Sequence, residues 1–327
     1  MLNHQRDART TSYIGYELLP GREFSGVSLA GRDQGRLVAG GTRALSDNAD
    51  VFGENTYDMF GTHRSLTSSY GVEYRPTEFL TYVTSCEMGQ IRDPAGNFDR
   101  RALSFGVRYK NDRGLSAKGR VELRQDKGTQ AGSLRDSTTV LLTGTANYKI
   151  DEERRLVFTL DIADTDTDSV TVRSGEYSEV GLGYAYRSIN NDRLNLLFSY
   201  RYLRDMYGQT IDGTDTLGPR QESHVRQLDA SYDIDKRWTI GGKVGGHISR
   251  SSPNSTAAFS DNDAYLAVIN ARYHLTHKRD VLLEGRYLTA EQGGFDNFGL
   301  LAAAYRHLGN NFKVGSDITL ACSRMIW

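Results

Sequence analysis

Leu115 to Gln125 reads L-S-A-K-G-R-V-E-L-R-Q. Leu115, Ala117, Gly119, Val121 and Leu123 fall on one face, and Ser116, Lys118, Arg120, Glu122 and Arg124 on the other. A helix would scatter both sets, because its period is 3.6 rather than 2. The split recurs in Leu103, Phe105, Val107 and Tyr109 against Ser104, Gly106 and Arg108, and in Leu156, Phe158, Leu160 and Ile162 against Thr159 and Asp161. Leu194, Leu196, Phe198, Tyr200 and Tyr202 oppose Asn195, Ser199 and Arg201; Trp238, Ile240, Val244 and Ile248 oppose Thr239, Lys243 and His247. Upstream the pattern weakens but persists: Ile14, Tyr16 and Leu18 alternate before L-P-G-R, and two more runs flank S-D-N-A-D. The chain predicts an all-β protein of about 16–18 antiparallel strands.

Seven of these runs end in a tyrosine followed by a short polar turn: Tyr74, Tyr109, Tyr148, Tyr186, Tyr232, Tyr273 and Tyr305, spaced by 32 to 46 residues. The turns, such as R-P-T-E, K-N-D-R-G and D-I-D-K-R, alternate with longer Gly/Asp/Ser-rich loops. A soluble sandwich and a membrane barrel share the alternation; in the first the polar face meets solvent, in the second it lines a wet lumen. One amphipathic ring at one end of every hairpin is what a girdle at a membrane–water interface requires, and short periplasmic turns with longer outer loops are the asymmetry of outer-membrane barrels. The fold expected is an antiparallel transmembrane β-barrel, with a soluble all-β repeat protein as the competing reading. Its lumen would be lined by charges of both signs: Arg108, Lys118, Arg120, Glu122, Arg124, Asp161, Arg187, Arg201, Lys243, Arg272, Glu284 and Arg286.

Composition agrees with this. No run reaches the ~18 consecutive apolar residues of a membrane helix. The mean hydropathy of −0.54 fits a barrel, where only alternate residues meet lipid. A formal net charge of −1 argues against nucleic acid as a partner.

The ordered set Y-G-V-E-Y, A-L-S-F-G-V-R-Y, N-D-R-L-N-L-L-F-S-Y-R-Y, G-P-R-Q-E-S-H, H-K-R-D-V-L-L-E-G-R-Y and Y-R-H-L-G-N-N-F-K-V-G resembles one recognisable group. These are the C-terminal outer-membrane barrels of very large Gram-negative surface proteins, porin- or autotransporter-like domains with surface or periplasmic repeat domains upstream. The likeness runs from residue 64 to residue 315, and its last two motifs are the most specific. It implies a barrel in the bacterial cell outer membrane, and it supplies no catalytic residues, cofactor or metal.

Other candidate chemistry is weak. Asp164, Asp166 and Asp168 have calcium-loop spacing, but Ser169 and Gly175 stand where such a loop needs Gly and Glu; a solvated outer loop is the better reading. His247 and His274 fall at inward positions of neighbouring strands without a third ligand. Ser249, Ser251 and Ser252 have no positioned base and no oxyanion hole, so no enzyme is expected. G-G-K-V-G-G lies inside a strand, where no helix N-terminus follows to cradle a phosphate. Cys86 and Cys322 read as two unrelated thiols.

The start, M-L-N-H-Q-R-D-A-R, has no apolar signal region, so residues 1–9 read as a disordered or non-native start. Residues 10–315 read as the barrel, and residues 316–327 as an aberrant tail. After Phe312 and Val314 the alternation degrades into S-D-I-T-L-A-C-S-R-M-I-W. Codons permitted for Ser316 to Trp327, read in a neighbouring frame, can spell V-G-Y-N-F-G-L-L-S-D-D-L, as a single-base deletion near Gly315 would produce. The barrel is therefore expected to be incomplete at one or both ends. The functional expectation is a membrane anchor or translocator-type domain of a larger surface protein; the alternative is a passive channel for ions or small solutes. Expected partners are outer-membrane lipid and lipopolysaccharide, the barrel-assembly machinery and the upstream repeat domains.

Overall fold

The computed structural model describes residues 2–18, 35–58, 64–93, 96–130, 133–134, 136–167, 175–189, 192–206, 220–253, 257–276, 278–291, 295–308 and 312–325. The strands are β1 (Leu2–Asp7), β2 (Thr10–Leu18), β3 (Gly35–Ser46), β4 (Ala49–Asp58), β5 (Arg64–Tyr74), β6 (Leu80–Asp93) and β7 (Gly96–Lys110). They continue with β8 (Leu115–Gln130), β9 (Ser133–Leu134), β10 (Ser137–Lys149), β11 (Arg154–Thr167), β12 (Gly175–Arg187), β13 (Leu194–Asp205) and β14 (Arg220–Asp233). The last are β15 (Trp238–Ser252), β16 (Ser260–Asp261), β17 (Ala264–Thr276), β18 (Arg279–Ala290), β19 (Phe295–Leu308) and β20 (Phe312–Met325). All belong to one antiparallel sheet in which each long strand pairs with its neighbours in the chain. The two-residue β9 and β16 are short extensions beside β8 and β15. Among the described residues β1 and β20 are the two free edges.

Two short ends differ from the sequence reading. Residues 2–7, expected to be disordered, pair with β2 from Leu2↔Ile14 onward. Ser316 to Met325, expected as an aberrant tail, continue β20 and pair with β19 through Phe295↔Met325. The backbone needs only extended residues without proline to join a ladder, and neither segment contains proline. β2 leaves the short turn at residues 8–9 and runs away from it to Leu18; L-P-G-R lies outside the described residues.

The short turns are built locally. In the β7–β8 turn Asn111 Oδ1 accepts from the Leu115 amide at 2.9 Å, and Gly114 sits at φ +90°. That left-handed conformation favours glycine, and a Cβ there would run into Lys149. In the β14–β15 turn Asp235 Oδ1 accepts from the amides of Arg237 at 2.6 Å and Trp238 at 2.8 Å. Register shifts fall at Gln5/Asp7, Ala44/Ser46 and His274/Thr276, all beside short turns, where an extra residue bends the strand without disturbing the long ladders.

Two faces of opposite character result. The buried apolar side chains among the described residues are Val38, Ala102 and Ala303, while large apolar side chains from Ile14 to Leu320 stand exposed. Cross-strand partners share a face. Leu103↔Leu123, Phe105↔Val121, Leu142↔Ile162, Phe158↔Leu182, Phe198↔Leu228 and Leu228↔Val244 therefore define one continuous apolar face. Val38, Ala102, Ala303, Ser104, Glu122, Thr165, Ser223, Ser249 and Asp280 are buried and lie on the opposite face; the exception is Ser252, buried at the long-loop end in phase with Ile248. Curvature crowds the inner side of a sheet, so the polar face is concave and the apolar face convex. An apolar surface this continuous, with no dry core beneath it, is a surface made for lipid.

Candidate membrane girdle and lumen wall

Six of the seven tyrosines lie on the convex face at the short-turn end. Their register partners are Ala49 and Tyr82 for Tyr74, Leu80 and Ala117 for Tyr109, and Leu115 and Leu156 for Tyr148. Tyr186 lies between Arg154 and Leu196, Tyr232 between Leu194 and Ile240, and Tyr273 between Trp238 and Val281. Trp238 and Tyr273 pack with ring centroids 4.7 Å apart, so Trp238 extends the aromatic row. Its place directly after a short turn and in phase with Ile240 is the signal that could have found it.

Tyr305 departs from the row. It pairs with Asp280 and Gly315 on the concave face, where its ring covers the space a Gly315 side chain would need. The register puts Phe298, Leu300, Ala302 and Ala304 on the convex face, and Tyr305 is out of phase with them.

The register places all twelve charged residues of the expected lumen wall on the concave face: Arg108, Lys118, Arg120, Glu122, Arg124, Asp161, Arg187, Arg201, Lys243, Arg272, Glu284 and Arg286. Most are ion-paired there. Glu122 lies between Arg120 at 2.5 Å and Arg124 at 2.7 Å. Arg201 meets Glu179 at 3.2 Å, Lys243 meets Asp229 at 3.8 Å, and Arg286 pairs with Glu284 on its own strand. Arg187 turns to Asp192 in the following turn at 2.9 Å. Alternation also places partners that sequence reasoning passed over. Glu73 joins Arg75 and Arg108, Arg100 grips Asp126 with two bonds of 2.8 Å, and Glu54 accepts from Tyr13 at 2.5 Å. Pairing lowers the cost of holding these charges on a crowded inner face. The arginines remain partly open, Arg120 being 54% and Arg201 66% exposed. The wall is therefore satisfied electrostatically without being dry.

The two histidines do not come together. His247 pairs with Ala264 at one end of the β15–β17 ladder, and His274 lies beyond Tyr273 at the other. His274 Nδ1 instead contacts Asp280 at 2.7 Å, with His307 at 3.3 Å on the other carboxylate oxygen. Asp164 and Asp166 lie within β11, opposite Val140 and Thr138, rather than in an outer loop; Asp168 and Ser169 lie outside the described residues. Cys86 and Cys322 are free, exposed thiols on strands far apart in the sheet.

No family model matches the sequence, and no curated protein does. Among solved structures the chain is similar to the closed form of the ferric-catecholate import receptor Fiu from E. coli K12, at 10% identity and a TM-score of 0.50, covering 98% of this chain and 72% of that one. It is also similar to the alcaligin outer-membrane receptor FauA from Bordetella pertussis, at 12% identity and a TM-score of 0.47, covering 98% of this chain and 62% of that one. A third is OccAB4 of Acinetobacter baumannii, at 10% identity and a TM-score of 0.33, covering 96% of this chain and 91% of that one. This chain thus spans less than two thirds of FauA's length. It has the fold of a bacterial outer-membrane β-barrel. At these identities the likeness carries the fold and nothing finer.

Proposed function

We propose that the chain lies in the outer membrane of a Gram-negative bacterium and fixes a larger surface protein there. The observation that carries this is the convex face, apolar from strand to strand and closed at its short-turn end by an aromatic row. The sequence resemblance to C-terminal barrels of repeat-domain surface proteins supports the anchoring role. Outer-membrane lipid, lipopolysaccharide and the barrel-assembly machinery are the partners such a domain requires. Fractionation tests the reading: the chain, expressed with a secretion signal, is expected in the outer-membrane fraction, protected there from alkaline extraction. Recovery as a soluble periplasmic protein would sink it.

A second reading, a passive channel, is favoured by one specific observation. The concave charges stay half open to water, and about 18 long strands are enough to enclose an aqueous path. Planar-bilayer recording separates the two. Stable unitary steps favour the channel, and an inserted but silent barrel favours the anchor.

A further inference from the structure

Across its middle the convex face is mostly apolar; Asn55 and Ser68 bond to each other on β4–β5 at 2.6 Å, and on β14 a charged side chain stands there. On β13 it runs from Leu194 to Tyr202, and on β15 from Trp238 to Ile248, but on β14 it ends at Leu228. The next convex residues of β14 are Arg226, His224 and Glu222. With their neighbours they form three rows: Tyr200–Arg226–Gly246, Tyr202–His224–Ile248 and Arg204–Glu222–Arg250.

The upper part of this patch is a connected network. Tyr200 Oη lies 2.9 Å from His224 Nδ1, and the Tyr202 and His224 rings are 4.9 Å apart. Tyr202 Oη donates to Glu222 at 3.0 Å, and Arg250 donates to the same carboxylate at 2.8 Å. Arg250 also sits 5.2 Å from the Phe259 ring, and Arg204 meets Glu176 at 2.9 Å. Arg226 is exposed and has no partner among the described residues. The Tyr265 ring lies against Gly246, where a Cβ would meet it at 3.4 Å, so Arg226 has Tyr200 on one flank and Gly246 with Tyr265 beyond it on the other.

Depth decides what this patch faces. Arg226 stands six residues above Tyr232, which is ~20 Å along the strand and ~15 Å along the membrane normal at the tilt of such barrels. It therefore lies inside an apolar band ~25 Å tall, while Glu222, Arg204 and Arg250 reach its long-loop edge. An arginine at that depth costs up to ~2–4 kcal/mol unless its stem lies along the apolar surface and its head reaches the interface. The interface above it already carries two further guanidiniums. Arg220 shares the Phe259 ring with Arg250, and Asp164 lies opposite Glu176, so the charges above are largely matched. Arg226 is the cation of the patch with no partner among the described residues, with tyrosines beside it to flank acyl chains.

We propose that this patch on β12–β15 binds the phosphorylated headgroup of an outer-leaflet glycolipid, with Arg226, Arg204 and Arg250 as its donors. Guanidinium forks suit phosphate oxygens. The proposal rests on the barrel reading, since it takes the long-loop end as the outer surface.

Native mass spectrometry of the chain refolded in detergent micelles tests it. Three probes are added in turn: a bisphosphorylated hexa-acyl glycolipid, the same glycolipid without phosphates, and inorganic phosphate. A retained adduct is expected with the first alone, and Arg226→Gln combined with Arg250→Gln is expected to reduce it at least tenfold. Arg201→Gln, on the concave face, should leave it unchanged, and heat-dependent gel mobility reports whether each variant has folded. Should the double variant not fold, Arg204→Gln is expected to lower retention on its own. Equal retention by folded variants, equal binding of the dephosphorylated glycolipid, saturation by inorganic phosphate, or no adduct from a folded wild-type chain would each overturn the site. A wild-type chain that enters no micelle would overturn the barrel reading itself, which gel mobility shows separately.

Discussion

A side chain here is judged by the face it occupies. Val121 and Thr143 sit on neighbouring strands at similar depth, one convex and one concave. Val121→Arg is expected to cost ~2–4 kcal/mol of folding into lipid vesicles, because a guanidinium near mid-depth leaves water for hydrocarbon. Thr143→Arg, in the wet interior, should cost less than ~1 kcal/mol; urea titration of both variants in vesicles checks the contrast, and equal losses would show the faces are reversed. Glu122, with 10% of its side chain exposed, balances two guanidiniums. Glu122→Gln is expected to cost ~1–3 kcal/mol by leaving charges short of a partner, and Glu122→Asp to recover part of it in the same titration. Outside the membrane, the amides of Arg237 and then Trp238 hold the Asp235 carboxyl below its usual range. A carboxyl depressed by folding adds stability that is present above its unfolded pKa and lost as pH falls through the folded value. The β14–β15 turn should therefore loosen in acid. Amide-exchange protection of Trp238 should fall with pH in the wild type and show no such step in Asp235→Asn.

Strands and turns follow from local rules, with instructive exceptions. Gly114→Ala is expected to destabilise the β7–β8 hairpin by ~1–2 kcal/mol, since the new Cβ meets both a left-handed backbone and Lys149; an unchanged refolding rate and stability would dismiss the strain. The long strands were readable because each pairs a clean alternation with a turn signal, as in Leu115–Gln125 after K-N-D-R-G. Tyr305 was not. L-L-A-A-A-Y is apolar on both faces, so its phase cannot be told from the motif and is set by pairing with β18 and β20. His247 and His274 hold inward positions on neighbouring strands, as expected, yet lie at opposite ends of the ladder, for a related reason. Neighbouring strands put residues together only at matching heights, and height depends on a register that a single sequence does not contain. Arg226 breaks the alternation openly, as an interruption after Leu228, which is why it points to chemistry rather than to packing.

At the scale of the whole sheet the edges decide its behaviour. In hydrocarbon every backbone donor and acceptor must find a partner, and an open edge leaves a row of them without one. β1 offers six residues and β20 offers fourteen, so pairing these two strands directly would leave most of the β20 edge uncovered. The exposed side chains of β20, Phe312 at 74%, Ile318 at 69% and Leu320 at 66%, add apolar surface beside that edge. Both features favour adding another strand to β20, the route by which edges recruit a second copy of the same chain. In mild detergent the chain is therefore expected to associate edge to edge. Its mass by light scattering should rise with protein concentration, and Ile318→Lys together with Leu320→Lys should shift the distribution back toward monomer. A wild-type chain that stays monomeric across a hundredfold concentration range would show instead that the sheet satisfies its own edges, and the association argument would fall.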